Sequence, residues 1–281
     1  MPAAVPSSPA KAPKPRFFLG RDGVRLAYRE VGEGRPLLLV HGYVSNAWVN
    51  WIRFGHAARL AAAGFRVIMP DLRAHGDSAR PKSPGAYPPD ILADDAFSLV
   101  ARLGLDDYDL GGYSLGGRTV VRMLARGATP GRAIVAGMGW EGIVDPAFRD
   151  RFFERLFAGL GGHRPGGAEW RAWHFVRSMH GDPEALRMIL QTSVPTGPAE
   201  LRAIAVPCLV LLGDRDDEHG SGERLAGALG QGTFASAPGT HMSVVTKPEF
   251  GRQMSEFLTR GRPTSAAGRS GKEDTPGGAN L

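Results

Sequence analysis

The chain has 281 residues, 42% of them hydrophobic, with a single cysteine, Cys208. That length and apolar content allow one sizeable core, and a lone cysteine in an apolar run excludes a disulfide framework and reads as an inert core thiol. The net charge of +6 lies mostly in the tails, because residues 1–16 carry +3 and residues 260–281 carry +2, leaving +1 for the body; no basic face interleaved with aromatics remains, which excludes nucleic acid as a partner.

Residues 1–15 are rich in Pro, Ala, Ser and Lys, and residues 261–281 in Gly, Ser and Thr, so both are expected to be disordered tails. The first lacks the apolar run of a secretory leader, and no 18-residue apolar stretch occurs. The expectation is a cytoplasmic protein with no membrane span. Residues 16–19 and 24–31 read as two antiparallel opening strands. Core strands are predicted at 36–40, 65–69, 108–112, 133–136 and 208–212, each apolar enough to be buried on both faces. Between them Leu92, Ala96, Leu99, Val100 and Leu103 share one helical face, and residues 115–125 make a second helix. A short strand at 232–235 precedes a final helix with Phe250, Met254, Phe257 and Leu258 on one side. Strands alternating with helices predict an α/β fold with a mostly parallel, doubly wound sheet.

Gly112-Tyr113-Ser114-Leu115-Gly116 falls where the strand at 108–112 hands over to a helix. Strand, sharp turn, serine and helix form the context of a nucleophile elbow. A serine lifted clear of a sheet takes a strained backbone, and side chains two residues before and after would collide with it, so glycine is required at both places. A serine hydroxyl also needs a base, and the base needs a carboxylate to fix its tautomer. His241, in the loop Ala237-Pro238-Gly239-Thr240-His241-Met242, follows the last strand. Asp214-Arg215-Asp216-Asp217 follows the strand at 208–212, and ligands bind at that end of open sheets. Spacing alone leaves Asp214, Asp216 and Asp217 open as the acid.

The sequence holds no His-x-x-His, His-Glu-x-x-His or paired-cysteine spacing and no phosphate-binding lysine loop, so neither metal nor cofactor is expected. One G-x-G-x-x-G match, Gly137-Met138-Gly139-Trp140-Glu141-Gly142, lies far from the start of the sheet and has no strand-ending acid downstream. It reads as the chain turning off the sheet.

On these motifs the chain resembles the α/β-hydrolase superfamily over about residues 16–260. Leu38-Leu39-Val40-His41-Gly42-Tyr43 is similar to the family's third strand and oxyanion turn. Pro70-Asp71-Leu72-Arg73-Ala74-His75-Gly76-Asp77-Ser78 is similar to its D-x-R-G-H-G-x-S loop, with Ala74 in place of glycine. The resemblance implies Ser114 as nucleophile, His241 as base and Asp216, third after Gly213, as acid, with the backbone N–H groups of Tyr43 and Leu115 as oxyanion hole. His41, His75 and Asp71 are expected to brace loops. Members that open epoxides carry aspartate at the elbow, so Ser114 implies acyl transfer instead. The resemblance further divides the chain into a core at 16–139 and 198–260 and a helical cap at 140–197, with the polar tract 161–167 as a loop. The cap is rich in aromatics, among them Phe148, and Trp140 is expected to line the substrate pocket. The implied activity is hydrolysis of a small carboxylic ester. Alternatives are a cofactor-independent perhydrolase, a carbon–carbon bond hydrolase using Arg171 or Arg177, and a non-catalytic ligand receptor.

Overall fold

The structure is a computed structural model that describes residues 12–145, 147, 150–159 and 161–262. Most of both predicted tails, and Phe148, lie outside the described residues. Eight strands form one sheet: β1 (Arg16–Leu19), β2 (Arg25–Val31), β3 (Arg35–Val40), β4 (Phe65–Pro70), β5 (Asp109–Tyr113), β6 (Ala133–Ala136), β7 (Cys208–Gly213) and β8 (Gly232–Ala237). Their spatial order is β1-β2-β4-β3-β5-β6-β7-β8. The β1–β2 and β2–β4 pairs are antiparallel, and every later pair is parallel.

Alternation along the strands divides the core in two. Leu38, Val40, Leu110, Val135 and Val210 point to one face, where α2 (Ile91–Arg102), α3 (Leu115–Ala125) and α9 (Gly222–Ala228) pack. Leu37, Leu39, Met69, Ile134 and Leu211 point to the other, covered by α1 (His56–Ala62) and α10 (Pro248–Thr259). With helices on both faces, β5, β6 and β7 are buried at every position, whereas the edge strands β1 and β8 are largely exposed. Among the described residues, five α-helices run between β6 and β7: α4 (Trp140–Val144), α5 (Asp150–Ala158), α6 (Ala168–Ser178), α7 (Pro183–Leu190) and α8 (Pro198–Ala203). Leu156, Phe157, Val176 and Leu186 of α5, α6 and α7 make a small core of their own with Val44. Among the described residues no helix is long and apolar enough to cross a membrane.

Strand order positions the site. The chain leaves β3 for β4 on one side and returns to β5 on the other, so winding reverses between β3 and β5. Val40 is in register with Gly112. The loop after β3 and the turn after β5 therefore open side by side at the carboxyl ends of their strands, where such sheets bind ligands.

Candidate active site

Ser114 joins β5 to α3 with φ 53° and ψ −115°, a conformation costly for any residue with a side chain. Its neighbours fix that shape. A Cβ on Gly112 would come within 2.2 Å of the Gly116 carbonyl oxygen, and one on Gly116 within 2.1 Å of the Val40 carbonyl oxygen. The glycines therefore yield to the far side of the turn and to β3 rather than to the serine, which corrects the steric reason expected above. Ser114 N–H donates to Ala136 O at 2.8 Å, tying the strained residue to β6.

His241 is held from below. Its backbone carbonyl accepts the Tyr113 hydroxyl, and the two rings stack with centroids 5.3 Å apart. The loops after β7 and β8 are laced together, because Gly239 N–H donates to Asp214 Oδ1 at 2.8 Å and Arg215 N–H to Gly239 O at 3.0 Å. This leaves Asp216, rather than Asp214, facing the histidine: His241 Nδ1 stands 2.9 Å from Asp216 Oδ2 and Nε2 stands 3.1 Å from Ser114 Oγ. Asp217 is exposed. The structure thus brings Ser114, His241 and Asp216 together, all buried. With Nδ1–H donated to the carboxylate, Nε2 is left as an acceptor toward the serine hydroxyl.

Tyr43 lies on the turn after β3, and Leu115 opens α3, where helix geometry gives the first N–H groups no intrahelical partner. Both line the same cavity as Ser114. Two buried imidazoles hold the turn. His41 Nδ1–H donates to Gly42 O at 2.7 Å while Nε2 accepts Leu72 N–H at 2.9 Å. His75 Nδ1–H donates to Arg73 O at 2.8 Å and Nε2 accepts Val44 N–H at 3.0 Å. Each ring is therefore neutral with its proton on Nδ1. Burial pushes the His41 imidazole below its usual range and takes His75 to about 3, helped by the neighbouring His41. Asp71 accepts from Ala47 N–H and Asp77 N–H and pairs with Arg29, bracing the same region.

Ser114 and His241 open into a cavity of about 810 Å³. Its walls carry Phe54 from the body, and Phe152, Phe153, Leu156 and Phe175 from the helices between β6 and β7. Trp140 does not line it. That residue packs half-buried against the main core with the Arg224 guanidinium 4.4 Å above its ring, where α4 lies against both α3 and α9. The first two glycines of the G-x-G-x-x-G match have separate structural reasons: Gly137 takes φ 58° against the Tyr113 ring, and a Cβ on Gly139 would meet the Gly220 carbonyl oxygen at 2.2 Å.

Three lining residues carry no sequence signal of their own. Asn50 accepts Gly42 N–H at 2.8 Å from inside a π-helical turn at Trp48–Ile52. Arg118, one turn after Ser114, donates to Gly142 O and Ser193 Oγ. His219 places its ring 4.5 Å from that of His241. The sequence has no metal-binding spacing, yet the fold brings ligand atoms of Asp216, His219 and His241 within 4.8 Å of one another. Two of these residues already spend such atoms on each other.

A family model described as the alpha/beta hydrolase fold matches residues 35–148. A non-heme haloperoxidase of Rhodococcus erythropolis is 30% identical over 233 residues, covering 71% of this chain and 81% of that protein. A non-heme chloroperoxidase, CPO-A1, of Kitasatospora aureofaciens is 26% identical over 277 residues, covering 85% and 98%. Among solved structures, a hydrolase from Pseudomonas aeruginosa PA01 superposes with a TM-score of 0.70 at 23% identity over 89% of this chain and 98% of that one. Sheet order, elbow and relatives agree: the chain belongs to the α/β-hydrolase superfamily and is an enzyme of that type.

Proposed function

We propose that the chain hydrolyses small carboxylic esters through an acyl-enzyme on Ser114. The observation that carries this reading is the unbroken relay Ser114 Oγ, His241 Nε2, His241 Nδ1, Asp216 Oδ2, with links of 3.1 and 2.9 Å, at the floor of a largely apolar cavity. Ser114 Oγ attacks the ester carbonyl and gives its proton to His241 Nε2. Asp216 stabilises the imidazolium without taking the proton. The oxyanion is held by the N–H groups of Tyr43 and Leu115, the latter at the positive end of α3. Collapse breaks the bond to the alcohol oxygen, which leaves with the proton from His241. Water then attacks the acyl group, loses a proton to His241, and releases the acid and Ser114. Residues 140–197 act as the cap that shapes the acyl and alcohol pocket and shuts out water.

Turnover of p-nitrophenyl esters from acetate to octanoate tests the reading. The expected result is saturable hydrolysis that falls on the order of 10⁴-fold or more in Ser114→Ala. Undiminished hydrolysis by Ser114→Ala would overturn it. A second reading is favoured by the haloperoxidase relatives: hydrogen peroxide takes the place of water, its oxygen bonds to the acyl carbon, and a peracid leaves with Ser114 restored. Peracid formation from acetate and peroxide, measured by halide oxidation, separates the two.

A further inference from the structure

The turn after β3 carries hydrogen-bonding capacity that the fold does not use. Asn50 is 4% exposed and lines the cavity. Its Oδ1 is spent on Gly42 N–H, which fixes the amide's orientation, and its Nδ2 has no acceptor among the described residues. Ser45 is 6% exposed and lines the same wall, and its Oγ has no hydrogen-bond partner there either. Both residues are tied to Gly42, because Ser45 N–H donates to Gly42 O at 3.3 Å. Gly42 in turn abuts the elbow: a Cβ on it would stand 3.2 Å from Ser114 Cβ.

Buried donors without acceptors are rare, and each costs free energy until something occupies it. Here one such group, the Ser45 hydroxyl, lies in the same wall as the Asn50 amide, in a cavity that Gly42 and Ser114 also line and whose charged side chains include Arg53, Arg118, Arg171 and Glu218. We propose that Asn50 Nδ2, assisted by the Ser45 hydroxyl, binds an acceptor oxygen on the acyl chain next to the scissile carbonyl. The preferred substrate class is then a hydroxy-, oxo- or alkoxyacyl ester rather than a plain alkanoate. This rests on the reading of Ser114 as the acyl-accepting residue, with the wall of Ser45 and Asn50 assigned to the acyl side. Asn50 also holds Gly42 in place, so one residue both shapes the turn and reads the substrate. A serine hydroxyl on a single rotatable bond can turn to the occupant when one arrives.

The test is a binding comparison in the Ser114→Ala protein, which needs no turnover. Phenyl methoxyacetate and phenyl butyrate differ only by an ether oxygen in place of a methylene. The ratio of their dissociation constants, from NMR-detected titration, cancels the difference in their hydrophobicity once it is compared across variants. Asn50→Asp keeps the acceptor for Gly42 N–H and removes the donor; Ser45→Ala removes only the hydroxyl. The expected result is that the preference for methoxyacetate falls about three- to tenfold in each, the size of one neutral hydrogen bond. Because Ser45→Ala deletes an unsatisfied buried group, its melting temperature should equal or exceed that of the parent, which keeps the test open if Asn50→Asp does not fold. A ratio within about twofold of the parent in every variant that folds overturns the proposal, the two groups then serving only the turn or an ordered water. Failure of the unmodified chain to hydrolyse either ester would instead count against the reading of Ser114, and the binding ratio would still report on Asn50.

Discussion

Asp214 and Asp216 stand two residues apart and do different work. Asp214 Oδ1 accepts Gly239 N–H and so shapes the loop that carries the histidine, while the Asp216 carboxylate reaches His241 Nδ1. Asp216→Asn presents an amide to the imidazole and favours the wrong tautomer, so kcat on p-nitrophenyl butyrate should fall about 10⁴-fold. Asp214→Asn keeps a carbonyl oxygen for Gly239 and should lose less than about tenfold, a small change by the same comparison. Near wild-type kcat in Asp216→Asn would remove Asp216 from the relay. The tight turn at Ser114 was legible from sequence because its close backbone approaches, of Gly112 to residue 116 and of Gly116 to β3, demand glycine at both places. Asn50 and His219 were not, because their meaning arises only when loops remote in sequence meet. Trp140 shows the converse error. An aromatic just past a strand end is as suited to packing as to a pocket, and here Arg224 and the core take it. Trp140→Ala should cost about 2 kcal/mol of stability, somewhat less than a fully buried tryptophan, and lower kcat/KM by one factor across esters of every chain length. A shift in chain-length preference without a drop in melting temperature would restore the pocket role.

At the scale of elements, continuous apolar runs mark β5, β6 and β7 because both faces of the sheet are covered. Their ends differ from expectation by a residue or so: β5 runs to Tyr113 and β7 to Gly213, which pair with Ala136 and Ala237 of the neighbouring strands. The π-helical turn at Trp48–Ile52 went unread, as its short span gives no periodicity to detect. The helices between β6 and β7 were legible as a class through their aromatics, but not which aromatics face the serine. Phe175 of α6 does line the cavity. Phe175→Ala should therefore shift kcat/KM toward longer acyl chains by roughly 10- to 200-fold between the shortest and longest good substrates. An unchanged profile in a folded variant would place the acyl chain elsewhere.

Across the whole molecule the sheet order sets the site, and a buried set of neutral histidines maintains it. His41, His56 and His75 are all pushed below their usual range by burial, His75 to about 3. A group of this kind is neutral when folded but binds a proton in the unfolded chain below about pH 6.5. The unfolded state then holds more protons, and stability falls as pH drops below about 6.5, in the case of His75 down to about 3, by up to ~1.4 kcal/mol per pH unit for a group that stays neutral when folded. His75→Gln should flatten the measured slope of unfolding free energy against pH in that window by close to one proton's worth, and equal slopes would contradict the assignment. The proposed chemistry depends above all on Ser114 as the activated nucleophile. Its most direct test is intact-mass and peptide mapping after exposure to a fluorophosphonate, which reports activation without assuming a substrate. One adduct per chain is expected, on Ser114, and none in Ser114→Ala; an adduct on another serine, or equal labelling of Ser114→Ala, would remove Ser114 from that role.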